Sequence, residues 1–440
     1  VLPKIATPIP GPRSLALATR LHRHESRNVT YLAEDFPVFW QRADGVNVWD
    51  ADGNRFLDLT SAFGVSGLGH TAPAIRDALI AQARTLMHAM GDVHPTEVKA
   101  ELCATLSAMT FERWGAGDGK CVLSSSGSDA VETALKTSLL RSGKPGVIAF
   151  TGGYHGLGLG ALSAIGLPFF REPFRAQLKD FATLLPYPRD GAADLKILRD
   201  QIEAVIAARP IGCVLVEPVQ GRGGCVVPPG GFLPMLREVC DAHRILLIVD
   251  EIYTGFNRTG SLFACEHSRT VPDLVCLGKA LTGGFPLSAC VGRTEIMDAW
   301  PASTGEALHT STFLGNPLGC AMALASLRQH AEPEMARLVC ERGAKMKSEL
   351  QGIDSPHIAE VRGLGMMLGM ELSRENGSPF TKLAIEIVKR SLRDGLLILA
   401  DSPASNVLCF TPPFSISDDE ITFAAERIQE YLMFLPGSIS

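Results

Sequence analysis

The sequence predicts an α/β fold: a mostly parallel sheet flanked by helices, with a smaller α+β domain towards the C-terminus. Three observations carry this. The runs "PGVIAF", "IGCVLVEP", "RILLIVDE" and "DLVCLGKA" are short apolar segments bounded by polar residues, Gly or Pro, as expected of strands buried on both faces. Helical stretches, Ala193–Ala208 and Gly231–His243, lie between such runs, and strand–helix–strand at this spacing builds a parallel sheet. After Asn316-Pro317 the pattern changes to a long helix, Leu318–His330 continuing past Pro333, and then to strand-like runs around Gly363 and Gly365.

In chain order, residues 1–40 carry five prolines before Val38 and read as an extended arm. "VNVWDADGNRFLDL" (Val46–Leu59) places two alternating runs around Asp52-Gly53, a hairpin signal. From about residue 70 to 315 the alternation of helices and apolar runs marks a large domain, and 316–440 a smaller one. The N-terminus has no apolar signal core and starts without Met, which points to removed residues. At 440 residues, 46% hydrophobic, 20% charged and net charge −6, the composition is that of a globular protein. No basic surplus suggests nucleic acid or an anionic membrane as partner. The purest apolar runs, such as Ile245–Val249, are too short to cross a bilayer. Eleven cysteines without a C-x-x-C pair, mostly in apolar surroundings, read as buried hydrophobes in a reducing cytoplasm. The eleven histidines show no metal spacing.

Four segments carry chemistry. In "SSSGSDA", Ser126, Gly127 and Ser128 precede a helix over Ala130–Leu140, so backbone N–H groups and the helix dipole face an anion such as a phosphate. Alone, the segment also reads as a Ser N-cap. Tyr154 and His155 follow a strand over Val147–Phe150, at the edge where parallel sheets place their ligand crevice. A tyrosine there stacks on a planar ligand or packs into the core. The glycines 156, 158 and 160 suggest a dinucleotide loop, but Ser163 occupies the third glycine position and the motif fails. Asp250 closes "ILLIV" and Glu217 closes "CVLV"; a carboxylate ending a buried strand needs a cation, such as a protonated ring nitrogen, or serves as a helix cap. Lys279 stands in the apolar, glycine-rich "LGKALTGGFP", where burial makes a neutral amine available as a nucleophile. A phosphate turn, a stacking aromatic, an acid for a ring nitrogen and an amine together specify pyridoxal 5′-phosphate (PLP).

These motifs resemble the class III aminotransferases of PLP fold type I, from about Val46 through Pro413. The matching segments are "SSSGSDAVETALK", "YHG", "VEPVQGRGG", "VDEIYTGFNRTG", "LGKALTGGFPLSA" and "STFLGNPLG". "GVIAFTGGYHGLGLGALS", "DLTSAFGVSGLGH" and "NVLCFTPPFSISDDEI" are similar to the α-amino-ε-caprolactam racemase branch of that group. The resemblance implies that Lys279 forms the Schiff base and moves the substrate's proton. It gives Asp250 the pyridine nitrogen, and Tyr154 and Ile252 the two ring faces. Ser126, Gly127 and Ser128 take the phosphate, with His155, Glu217 and Tyr253 as further cofactor contacts. Thr312 would reach the phosphate of a neighbouring subunit, which implies a homodimer with shared active sites. Residues 1–69 would then belong with the small domain.

Candidate substrate contacts are Phe63, Arg222 and Cys409. The family often carries an Arg where this chain has Cys409, and a thiol cannot make a guanidinium's bidentate carboxylate contact. Tyr253 stands where many members have Gln. Arg222 replaces an acid that the racemase branch would use for a second proton transfer, and an arginine cannot be that base. The expected reaction is amino-group transfer from an amine or ω-amino compound to a keto acid or aldehyde; racemisation of an α-amino acid or its amide or lactam is the alternative.

Overall fold

The computed structural model describes residues 1–30, 36–189 and 191–434. The chain forms two compact units, Pro73–Arg337, and Val1–Ala72 together with Leu338–Ser440.

The larger unit is built on a seven-stranded sheet. Its order is Gly119–Ser124, Ser288–Arg293, Leu274–Leu277, Leu246–Asp250, Ile211–Val216, Gly146–Phe150, Ala182–Leu185. Only Ser288–Arg293 runs against its neighbours; the strands from Leu274–Leu277 to Ala182–Leu185 are parallel. Ile211–Val216 and Gly146–Phe150 are buried at every position, which explains why they read as unbroken apolar runs. One face of the sheet packs against Leu102, Ile202, Phe232, Val239 and Leu324. The other packs against Ala130, Ala134, Ala161 and Ile296. The predicted helices are found over Gly127–Ser142, Gly191–Ala208 and Phe232–His243.

In the smaller unit the expected hairpin pairs Asn47–Asp50 with Arg55–Asp58. These strands belong to a four-stranded sheet, and a second one joins Ile358–Leu364, Met367–Leu372, Val407–Phe410 and Leu399–Asp401. Helices Thr381–Arg393 and Asp418–Met433 complete the unit.

Two expectations need correction. The arm at 1–40 is not extended throughout, because Pro12–His24 is a helix; residues 31–35 lie outside the described residues. Pro12 sits in its first turn, where a missing N–H costs nothing. The Asp52 carboxylate accepts from the N–H groups of Arg13 and Ser14 at 2.7 and 2.9 Å. This helix is capped by a residue 38 positions away, which no local pattern displays. The second correction concerns the domain boundary. The chain divides at Arg337/Leu338, not at 315/316. Helix Pro317–His330 packs on helices Pro73–Ala83 and Glu97–Ser107 of the larger unit, burying nearly all of its length.

Candidate active site

Adjacent parallel strands bring two acids to one edge of the larger sheet. Val216 pairs with Val249 and Asp250 with Cys276, so Glu217 and Asp250 leave their strands side by side. Asp250 is 4% exposed. Its Oδ2 accepts from Nδ1 of the buried His155 at 2.8 Å and its Oδ1 from the N–H of Ile252 at 3.1 Å. Burial disfavours a charged imidazole at His155, but the hydrogen bond to Asp250 and the charges of Asp250 and Glu217 raise its pKa overall. His155 therefore positions the Asp250 carboxylate from behind.

Glu217 has different partners. Its Oε2 accepts from the N–H of Tyr154 at 2.9 Å and its Oε1 from that of Gly221 at 3.1 Å. Burial pushes its carboxyl up to about 7, eased by His155 and by these two N–H groups. The bond to Tyr154 fixes the backbone beneath that ring. The Tyr154 ring meets Phe170 edge-on at 5.5 Å. The Arg222 guanidinium lies 5.3 Å from the centroid of each. Gln220, which the sequence did not single out, is buried and donates to the carbonyl of Thr151 at 2.8 Å. It ties the turn around Arg222 to the chain leaving strand Gly146–Phe150.

Helix Gly127–Ser142 starts beside Ile252. Ser126 is its N-cap, accepting from the N–H of Asp129 at 3.2 Å, and the N–H groups of Gly127 and Ser128 remain at the open end of the helix. A Cβ at Gly127 would stand 2.9 Å from Cδ1 of Ile252, so the absent side chain lets the helix start lie against that residue. Ser288 donates to the carbonyl of Ser126 at 2.6 Å and pins the cap from the neighbouring strand. The glycines that suggested a dinucleotide loop pack against this same helix. Gly158 donates its N–H to Ser128 Oγ at 2.9 Å and Ala161 to Glu132 Oε1 at 2.9 Å. Gly156 has φ +107°, and a Cβ there would meet Ser128 Cα at 2.6 Å.

Lys279 follows Gly278 directly after strand Leu274–Leu277. It holds φ +41°, a conformation that costs a side-chain-bearing residue energy and concentrates at functional positions. Its Nζ lies 4.2 Å from the centroid of the Tyr253 ring. Asp250, Ile252 and Tyr253 leave one strand together and meet His155, the helix start and Lys279 respectively.

Thr312 is exposed, in the segment leading to helix Pro317–His330. Phe63 and Cys409 belong to the smaller unit. Three consecutive residues there, Ser61, Ala62 and Phe63, hold φ of +47°, +49° and +62°, and Phe63 is 57% exposed. Asp58 maintains the turn: it accepts from His70 at 2.7 Å, from the N–H of Thr60 at 2.8 Å and from that of Ala62 at 3.2 Å. Ser61 Oγ donates to the carbonyl of Thr411 at 2.7 Å, so the turn is fastened two residues beyond the half-buried Cys409. Among the described residues no cluster of His, Cys, Asp or Glu could hold a metal ion, and no helix is long and apolar enough to cross a membrane.

The aminotransferase class-III family profile matches residues 30–432. The chain belongs to this family. A 4-aminobutyrate aminotransferase of Mycobacterium leprae (strain TN) is 36% identical over 440 residues, spanning 94% of this chain and 95% of the relative. An acetylornithine aminotransferase of Methanopyrus kandleri is 36% identical over 397 residues, with 90% and 95% covered. Among solved structures, a PLP-bound amine transaminase from an uncultivated Pseudomonas species superposes with a TM-score of 0.84 at 30% identity, covering 93% of this chain and 98% of the other. The protein is a PLP-dependent enzyme of amino-group transfer with the fold type I architecture. The relatives named here are aminotransferases, not racemases.

The residues present fit PLP. A helix start with open N–H groups suits a phosphate. Asp250, held by an imidazole and a backbone N–H, offers a fixed buried carboxylate for a ring nitrogen. Ile252 and Tyr154 offer an aliphatic and an aromatic surface, and Lys279 an amine. When bound, PLP supplies the electron sink that stabilises negative charge at the carbon losing a proton.

Proposed function

We propose that Lys279 and Asp250 are the catalytic pair of this aminotransferase, acting on ω-amino compounds as donors and keto acids as acceptors. The observation that carries the assignment is the Asp250–His155 pair. A carboxylate buried to this degree and buttressed by an imidazole would hold the cofactor's ring nitrogen in its protonated form. Lys279 Nζ would hold the cofactor as an amine nucleophile and would serve as the base that moves the substrate's proton. The Tyr253 ring, its centroid 4.2 Å from Nζ, steadies the side chain between these two duties. Ser126, Gly127 and Ser128 bind the phosphate, and Glu217 sets the backbone beneath Tyr154.

The ω-amino donor class rests on the named relatives, 4-aminobutyrate and acetylornithine aminotransferases. Arg222 is assigned as the contact for the acceptor's carboxylate, because its guanidinium lies over the stacking aromatic Tyr154 while Cys409 cannot form that contact. Phe63, exposed on a strained turn, is assigned to the substrate's apolar part. The assembly is assigned as a homodimer. Met87, Met90, Val93, Leu308 and Phe313 are each at least 59% exposed on the larger unit. His88 against Phe313 and Asp92 against Thr310 hold these two segments together. An apolar strip of this kind marks an interface, and Thr312 lies within it. The free cysteines fit a cytoplasmic location.

The test is a panel of amine donors with a keto acid acceptor, scored for oxo product. Inverted configuration without oxo product would establish racemisation instead. Arg222→Ala is expected to raise KM for the keto acid tens- to hundred-fold, about 2–3 kcal/mol for a lost charged contact, with little change for a carboxylate-free amine. Equal effects on both substrates would place the carboxylate elsewhere.

A further inference from the structure

The loop that carries Arg222 is closed at its base. Gln220 and Val226 exchange both of their backbone hydrogen bonds, at 3.0 and 3.1 Å. Within the loop the carbonyl of Gly221 accepts from the N–H groups of Gly224 and Cys225 at 3.0 and 3.2 Å. Gly224 and Cys225 hold φ of +98° and +53°, a left-handed stretch that turns the chain back sharply. Gln220, Gly221, Gly223, Gly224 and Cys225 are buried, and Arg222 is half-buried among them.

Two buried side chains lace this loop to the one that carries Tyr154. The Gln220 amide donates from Nε2 to the carbonyl of Thr151 at 2.8 Å. A Cβ at Gly152 or at Gly223 would come within 2.7 or 2.5 Å of Gln220 Oε1, so the two loops close on the amide only because both positions are glycine. Beyond it, the N–H of Gly152 donates to the carbonyl of Gly166 at 3.0 Å, and that of Gly166 to the carbonyl of Gly153 at 2.8 Å. Glu217 makes the second link, accepting from the N–H groups of Gly221 and Tyr154. Arg222 and Tyr154 therefore ride on one cross-linked frame, with the guanidinium 5.3 Å from the centroids of both the Tyr154 and the Phe170 rings.

We infer that Gln220 is a positioning residue for acceptor recognition: it fixes the Arg222 loop against the Tyr154 loop, so that the keto acid's carboxylate meets a guanidinium already in place. This rests on the assignment of Arg222 as the carboxylate contact. A guanidinium binds a carboxylate best through two parallel hydrogen bonds, which demand a set orientation. On a loose loop each incoming acceptor would have to order that orientation, and part of its binding energy would be lost. Gln220 acts through Arg222, since its own amide is engaged with Thr151. Its loss should therefore weaken the acceptor's binding and leave the chemistry at Lys279 and Asp250 in place.

The test uses two variants of the holoenzyme, Gln220→Met, which keeps the length without the donor, and Gln220→Asn, which withdraws the amide from Thr151. Each should raise KM for the keto acid about ten-fold, with kcat and KM for a carboxylate-free amine changing less than about two-fold. Hydrogen exchange followed by mass spectrometry should show faster exchange over Gly221–Val226 and Gly152–Tyr154, read without turnover. Added to Arg222→Ala, Gln220→Met should raise KM for the keto acid no further, because its effect passes through Arg222. A further rise in that background, equal effects on both substrates, or unchanged exchange would overturn the role of Gln220. A raised KM in Arg222→Ala with none in either Gln220 variant would overturn it while sparing Arg222. An unchanged KM in Arg222→Ala would refute the carboxylate contact itself, and this inference with it.

Discussion

Asp250 and Glu217 end neighbouring parallel strands, at the same sheet edge and at similar depth, yet they are prepared for different work. Asp250 receives one ring N–H and one backbone N–H, leaving lone pairs for a further donor. Glu217 has each of its oxygens occupied by a backbone N–H of the surrounding loops, those of Tyr154 and Gly221. Burial draws its carboxyl towards the neutral form at about 7. The first acid keeps acceptor capacity for a further donor, and the second ties together the loops that carry Tyr154 and Gly221. Position on a sheet edge is therefore not what distinguishes a functional acid from a structural one; the donors around it do.

The largest expected effect belongs to Lys279. Lys279→Ala should lower turnover by at least about 10⁴-fold, since nucleophile and proton carrier are lost together, and should remove the visible absorption band of lysine-bound cofactor. Near-normal turnover would mean that another lysine acts.

Asp250→Asn comes next. It keeps size and one acceptor but loses the charge, so kcat should fall roughly 10²–10³-fold with KM changing little. Glu217→Gln should cost far less in kcat, because the amide oxygen still accepts one of the two backbone N–H groups. Equal losses in the two variants would erase the distinction drawn between these acids.

A third measurement uses pH. The Glu217 carboxyl is raised from its ordinary 4.5 to about 7, so the folded chain binds this proton more tightly than the unfolded chain does. Its contribution to stability is complete below about 4.5 and is lost as pH rises through about 7, on the order of 3 kcal/mol in all. His155, also raised, acts in the same direction. Thermal midpoints of wild type and Glu217→Gln, compared from about pH 4 to pH 8, should show wild type losing ground as pH rises. A constant difference would mean that the Glu217 carboxyl titrates alike in the folded and the unfolded chain.

The smallest effect belongs to the packing behind the helix start. Gly156→Ala puts a Cβ against Ser128 at a positive φ and should destabilise the larger unit by about 1–3 kcal/mol. PLP retention, followed by dialysis, should weaken while kcat at saturating PLP changes little. Unaltered retention would separate this loop from the phosphate site.

The sequence alone determined the parallel sheet, because strands buried on both faces cannot hide their unbroken apolar runs. It also marked Asp250, Glu217 and Lys279, since a charge closing such a run stands out against its neighbours. It did not reveal the helix Pro12–His24, whose cap is Asp52, or the attachment of Pro317–His330 to the larger unit. The support of Asp250 by His155 and the pinning of Ser126 by Ser288 were equally hidden. Each depends on residues distant in the chain meeting in space. Periodicity records what a segment buries, but which donor meets which acceptor is fixed only when the strands are laid side by side. That is why the sequence could name the acids, and only the tertiary structure could tell the one met by an imidazole from the one whose two oxygens hold loop N–H groups.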